Sequence, residues 1–280
     1  MSNGTISTDV IRRSVVLPYA EHWIMRSKVE QRTYRIIAAK PLGEAPPEGY
    51  PVIYMLDGNC VFNTMVEALR LQCRRPEKTG VTPAVIVGIG YETDNQFSPD
   101  RFYDYTPFPN TSILNKSDGS PLPEQGGAEA FLRFLEEEVK PQIESEFNID
   151  RNRQTLFGHS LGGLFTLYAM YSRPHAFQYY IAGSPSIHWN KEYLQELESA
   201  FIDRIKDVPH RIRLLLGVGE LEKTHVAGNC SNACQLADRL ADLVEYGVQA
   251  EYKEFEGEGH VSVLPVLIAR ALRFALHPKQ

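Results

Sequence analysis

Apolar residues in this chain gather into short unbroken runs separated by stretches of helical period. Pro51-Val52-Ile53-Tyr54-Met55-Leu56 and Ala84-Val85-Ile86-Val87-Gly88-Ile89-Gly90 show none of the alternation of a half-exposed strand. Both therefore read as strands buried on two faces, the habit of a parallel sheet. Residues 62–73 between them read as a helix, and strand, helix, strand requires a crossover that predicts parallel pairing under a helical layer. Upstream, residues 29–39, with Arg32, Tyr34 and Ile36 interleaved, read as a strand. Trp23-Ile24-Met25 is its hairpin arm, which puts antiparallel strands at one edge. Downstream, residues 153–157, 179–183, 212–219 and the alternating 249–255 continue the sheet. Helices are predicted over 128–147, where Phe131, Phe134, Leu135 and Val139 fall at helical spacing, and over 161–171, 232–246 and 263–276. The expected fold class is α/β, with a mostly parallel central sheet, antiparallel N-terminal strands and helices on both faces, in one domain over residues 1–280.

From residue 91 to 127 the periodicity disappears. A structureless stretch of that size inside a compact domain reads as a lid or binding loop.

In a parallel sheet the loops leaving the carboxyl ends of the strands crowd one edge, where ligands bind. The exits that carry candidate chemistry are Asp57-Gly58-Asn59, Ser160, Glu220-Leu221-Glu222 and His260. Gly158-His159-Ser160-Leu161-Gly162 stands between a short β-prone run and a buried helix, the setting of a nucleophile elbow. There the flanking glycines let strand and helix approach while the serine takes strained angles. A serine hydroxyl needs a base, and His260, in a glycine-flanked loop after the last strand, is placed to take its proton and return it to the leaving group. His159 points off the elbow and reads as a packing or hydrogen-bonding residue. His188 and His225 lie in loops that could line the pocket. The acid that would orient His260 is Glu222, with Glu220 as the alternative, and a Ser-His dyad without a close acid is the third arrangement. Two backbone amides must face the oxyanion. Leu161, after the nucleophile, supplies one, and Asn59, after the 51–56 strand, supplies the other. The order serine, acid, histidine along the chain is that of the α/β-hydrolase fold.

Charge and cysteine usage narrow the partners. A net charge of −6 gives no basic footprint for nucleic acid. No apolar run reaches the ~18–20 residues that span a bilayer, and Met1 to Arg13 is polar where a signal peptide needs an apolar core. A cytoplasmic protein with no membrane partner is expected. The four cysteines, Cys60, Cys73, Cys230 and Cys234, are scattered and read as free thiols, and no metal or organic cofactor is implied.

The 51–59 run, the Arg101 to Pro107 segment, Gly158-His159-Ser160-Leu161-Gly162-Gly163, Ser184-Pro185-Ser186 and Glu256-Gly257-Glu258-Gly259-His260 together resemble the esterase D-like α/β-hydrolases. Among these the chain is most similar to the trilactone siderophore esterases, which hydrolyse enterobactin, bacillibactin or their ferric complexes. The resemblance implies a serine esterase with Ser160, His260 and the Asn59 and Leu161 amides in the roles just given. It also implies Arg101 as a cation facing an anionic substrate, the alternative being a structural salt bridge with Asp100 or Asp104. Trp189 and Tyr105 are implied as pocket walls. A small-molecule ester, free or carrying iron, is the expected partner. The same triad would serve a feruloyl or acetyl ester or a thioester such as S-formylglutathione. A catalytically silent hydrolase-fold binding protein is the reading from a different class.

Overall fold

The computed structural model describes residues 16–110, 113, 115–116, 119–206 and 211–277. Met1 to Arg13, on which the signal-peptide expectation rests, lie outside the described residues. In chain order the elements are β1 (Ala20–Arg26), β2 (Thr33–Ala39), β3 (Tyr50–Met55), α1 (Gly58–Gln72), α2 (Pro76–Thr79), β4 (Val85–Gly90), α3 (Arg101–Tyr105), α4 (Ala128–Phe134) and α5 (Lys140–Glu146). They continue with β5 (Ile149–His159), α6 (Leu161–Ser172), β6 (Tyr179–Gly183), α7 (Lys191–Ile205), β7 (Ile212–Gly219), α8 (Asn229–Leu240), β8 (Val248–Phe255) and α9 (Val263–Ala275).

The unbroken apolar runs are what they predict. Every residue of β3 and β4 is buried, and their side chains alternate between two layers. Val52, Tyr54 and Leu56 enter the core shared with α4, α6 and α7, whereas Ile53 and Met55 enter the core shared with α1 and α9. The sheet has eight strands in the order β1-β2-β4-β3-β5-β6-β7-β8. The β1–β2 and β2–β4 pairs are antiparallel, and every pairing from β4 through β3 to β8 is parallel. The carboxyl ends of β3, β5, β6, β7 and β8 therefore open on one edge.

Three expectations change in detail. The 29–39 strand begins only at Thr33, because a tight turn in which Gln31 N–H reaches Ser27 O occupies the residues before it. The 128–147 helix is continuous but widens over Leu135–Val139, where Lys140 N–H reaches back to Leu135 O. Pro141 explains the bulge, since its ring cannot sit against the carbonyl four residues earlier in a regular helix. The 91–127 stretch is not structureless. Its α3 buries Arg101, Asp104 and Tyr105 against the fold.

Candidate active site

β5 ends in the elbow. Ser160 sits at φ 60, ψ −116, outside the comfortable regions for a side-chain-bearing residue, and its amide is held by Gly183 O at 2.8 Å. The glycines that allow this are not the expected pair. A Cβ on Gly158 would stand 2.1 Å from Gly162 O, which forbids any side chain there. A Cβ on Gly162 meets only ordinary contacts at 3.5 Å, whereas one on Gly163 would press on Gly183 O at 2.8 Å and Pro185 Cα at 3.0 Å. Close approach of α6 to the β6 exit thus depends on Gly163, the residue after the motif.

His260 Nε2 lies 3.1 Å from Ser160 Oγ, and His260 Nδ1 lies 2.7 Å from Glu222 Oε2. Nδ1 carries the proton that the carboxylate accepts, which leaves Nε2 bare to receive the serine proton. Glu222 is buried on the turn that follows β7. Burial alone would raise its pKa. Four hydrogen bonds overcome that and hold it down to about 2: from His260, from Asn229 Nδ2 at 2.9 Å, from Ser184 Oγ at 2.5 Å and from the Gly219 N–H at 3.0 Å. Glu220 is directed elsewhere, accepting the Gly257 N–H at 3.0 Å. Ser184 and Asn229, which fix the acid, carry no signal in the sequence beyond a strand-end serine and an asparagine opening a helix.

His159 is buried behind His260. Burial, and then the neighbouring His260 ring, push its pKa down to about 3, so it is neutral and its Nε2–H donates to His260 O at 2.7 Å. It steadies the backbone at His260. His188 is half-buried near the site, its pKa lowered by burial and by His225, while exposed His225 accepts the Ala227 N–H at Nδ1.

The first two residues of α1 and α6 have no intrahelical acceptor for their N–H groups, and their helix dipoles favour negative charge. Asn59 and Leu161 occupy those positions. The Asn59 side chain turns away from Ser160. Its amide donates to Tyr91 O at 2.9 Å and Thr93 O at 2.8 Å and accepts the Tyr91 N–H at 2.7 Å, which pins this turn to the β4 exit. Only the Asn59 backbone amide is left for an oxyanion. Ser186 Oγ stands 3.4 Å from Ser160 Oγ, a second hydroxyl at the elbow to which the sequence pattern assigns no role.

Two of the residues expected to bind substrate are held inside the fold. Arg101 is buried. Its Nε and Nη2 each donate to an Asp57 carboxylate oxygen at 2.8 Å, a fork-on-fork pair, and Asp57 is neither of the acids expected for a structural bridge. Burial works against the guanidinium charge, and Asp57 more than offsets it, so the group stays above its usual pKa. Asp57 sits in left-handed geometry at φ 54 just before α1, so Arg101 braces the turn that presents the Asn59 amide. Tyr105 is fully buried in the core, its hydroxyl accepting the Asp57 N–H at 3.1 Å. Trp189 is half-buried on the turn after Ser186. Its Nε1 donates to Gln125 at 3.1 Å and its ring meets Phe102 edge-on, which ties the β6 exit to the 91–127 stretch.

Residues 27–268 match the Esterase family model, described as "Putative esterase". The chain is 55% identical over 263 residues, 94% of its length and 91% of the relative's, to the ferri-bacillibactin esterase BesA of Bacillus subtilis strain 168. The crystal structure of the BES protein from Bacillus cereus superposes with a TM-score of 0.89 at 42% identity, covering 96% of this chain and all 100% of that one. The enterobactin hydrolase IroE, solved in complex with DFP, superposes with a TM-score of 0.65 at 28% identity, covering 91% of this chain and 93% of that one.

Proposed function

The chain belongs to this esterase family and is a serine hydrolase of carboxylic esters, and from that premise we propose that its substrate is a catecholate trilactone siderophore, free or as its ferric complex. The observation that carries the proposal is the Ser160–His260–Glu222 relay at the carboxyl edge of the sheet, in a chain this similar to a ferri-bacillibactin esterase.

In this reading Ser160 Oγ attacks a lactone carbonyl as His260 Nε2 takes its proton. The Glu222 carboxylate holds the imidazole in the tautomer that makes this possible. The Leu161 and Asn59 N–H groups meet the oxyanion, each at the positive end of a helix. Collapse breaks the ester bond, and His260 returns the proton to the departing alkoxide, which remains attached to the opened ring. Water, deprotonated by His260, then attacks the acyl-serine and releases a linear product. The proposal includes action as one domain and a cytoplasmic location. Among the described residues no helix is long and apolar enough to cross a membrane.

One finding favours a second reading. With Arg101 spent on Asp57, the cation expected to meet a polyanionic ferric complex is withdrawn, which leaves a simple ester or an S-formylglutathione-type thioester as the competing substrate. The test is kcat/KM for apo and ferric enterobactin against p-nitrophenyl butyrate and S-formylglutathione. The proposal expects the trilactones to lead by at least about 100-fold, a difference of about 2.7 kcal/mol in transition-state binding. Preference for the simple ester or the thioester would transfer the assignment to the second reading.

A further inference from the structure

At the edge of the sheet opposite the active site, the amino ends of β5 to β8 and the last turns of α9 enclose a cleft of about 1170 Å3. Its charge is one-sided. Among the described residues, Arg153, Arg211, Arg213, Arg270 and Arg273 line it against one carboxylate, Glu251, in a chain whose net charge is −6. Glu251 is already paired with Arg270. Arg153 and Arg273 each donate to a neutral acceptor, His277 O at 2.9 Å and Gln72 Oε1 at 3.3 Å, and among the described residues neither has a carboxylate partner.

Among the described residues Arg213 and Arg211 have no carboxylate partner either. The half-buried Arg213 guanidinium is held over Phe274 at 4.8 Å and beside Tyr179 at 5.8 Å, and its Nε is buried with no hydrogen-bond acceptor. A guanidinium ordered by aromatic faces rather than by an acid keeps its outer N–H groups available. Like charges gathered around one concavity repel one another unless an anion joins them. A solvated surface would spread such charges or intersperse acids.

We propose that this cleft binds a small anion carrying two or more linked phosphate groups, at a site separate from the esterase centre. Several guanidiniums converging on one concavity match the several equatorial oxygens of a di- or triphosphate, and each can take them in the planar, two-pronged geometry that arginine offers. A monocarboxylate would neutralise only a fraction of that charge. The source is either a free polyphosphate or a nucleotide, whose base would add a ring to stack beside Tyr179.

The experiment is calorimetric titration of the full chain with tripolyphosphate and with ATP, at about 50 mM and about 300 mM salt. The expected result is one site per chain for tripolyphosphate, weakened by the higher salt, and weakened at least about tenfold in Arg211→Gln/Arg213→Gln, consistent with loss of charge-assisted hydrogen bonds. Tighter binding of ATP would assign the site to a nucleotide, and equal binding to the phosphate chain alone. Arg211→Glu, a charge reversal at an exposed position, repeats the test if the half-buried Arg213 proves necessary for folding. p-Nitrophenyl butyrate turnover should be unchanged in all variants, which shows that they are folded and that the two sites are separate. No binding to the wild type at low salt, or equal binding to wild type and variants, would overturn the proposal.

Discussion

In the proposed relay, Glu222 is the residue on which the chemistry is most finely set. Replacing it by Gln keeps the shape but removes the charge that stabilises the imidazolium and fixes the His260 tautomer. kcat on p-nitrophenyl butyrate should then fall by about 10³–10⁴-fold with little change in KM. Activity within a few-fold of wild type would mean that the Ser-His dyad suffices. The same residue predicts a pH signature. Its folded pKa, about 2, lies below the ordinary carboxylate value of 4.5, so it contributes stability that is fully present above pH 4.5 and is lost as pH falls towards 2. The Tm gap between wild type and Glu222→Gln should narrow as pH is lowered across that window, and a gap independent of pH would contradict the assignment. The sequence named Glu222 but left Glu220 open, because both leave the same strand. Only the fold brings His260, 38 residues away, to one of them, with Ser184 and Asn229 closing around it.

The elements whose side chains all meet one kind of neighbour were legible in the sequence. The fully apolar β3 and β4, the helix behind Ser160 and the elbow fall where their patterns put them. What was not legible depends on pairs far apart in the chain. Arg101 and Asp57 are 44 residues apart, and an arginine in a loop without periodicity gives no sign that it will be buried against a strand exit. Arg101→Gln should therefore leave the Asp57 carboxylate buried and unpaired. It should lower stability by about 3–5 kcal/mol in urea unfolding and depress kcat on charged and neutral esters alike. A selective loss on anionic substrates, with stability intact, would restore the pocket role. At the elbow, the motif pattern places its second glycine at 162, but steric need moves it to 163. Gly162→Ala should fold and turn over p-nitrophenyl butyrate at near wild-type rates, whereas Gly163→Ala should lose Tm or fail to fold. The reverse order would contradict the packing account.

For the whole molecule, the sheet works as a plate with two edges. Strain, helix N-termini and the Ser160, His260 and Glu222 side chains collect at the carboxyl edge, and an excess of arginines over carboxylates among the described residues collects at the other. In the proposed mechanism Ser160 carries the acyl group, its hydroxyl proton having passed to His260 Nε2, 100 residues away in sequence. The measurement that meets it most directly is mass spectrometry of the intact protein, acid-quenched during turnover of a trilactone or of p-nitrophenyl butyrate, followed by peptide mapping. An adduct of the acyl mass on the peptide containing Ser160, absent together with turnover in Ser160→Ala, is the predicted result. Turnover that survives in Ser160→Ala, or an adduct on a different residue, would contradict it.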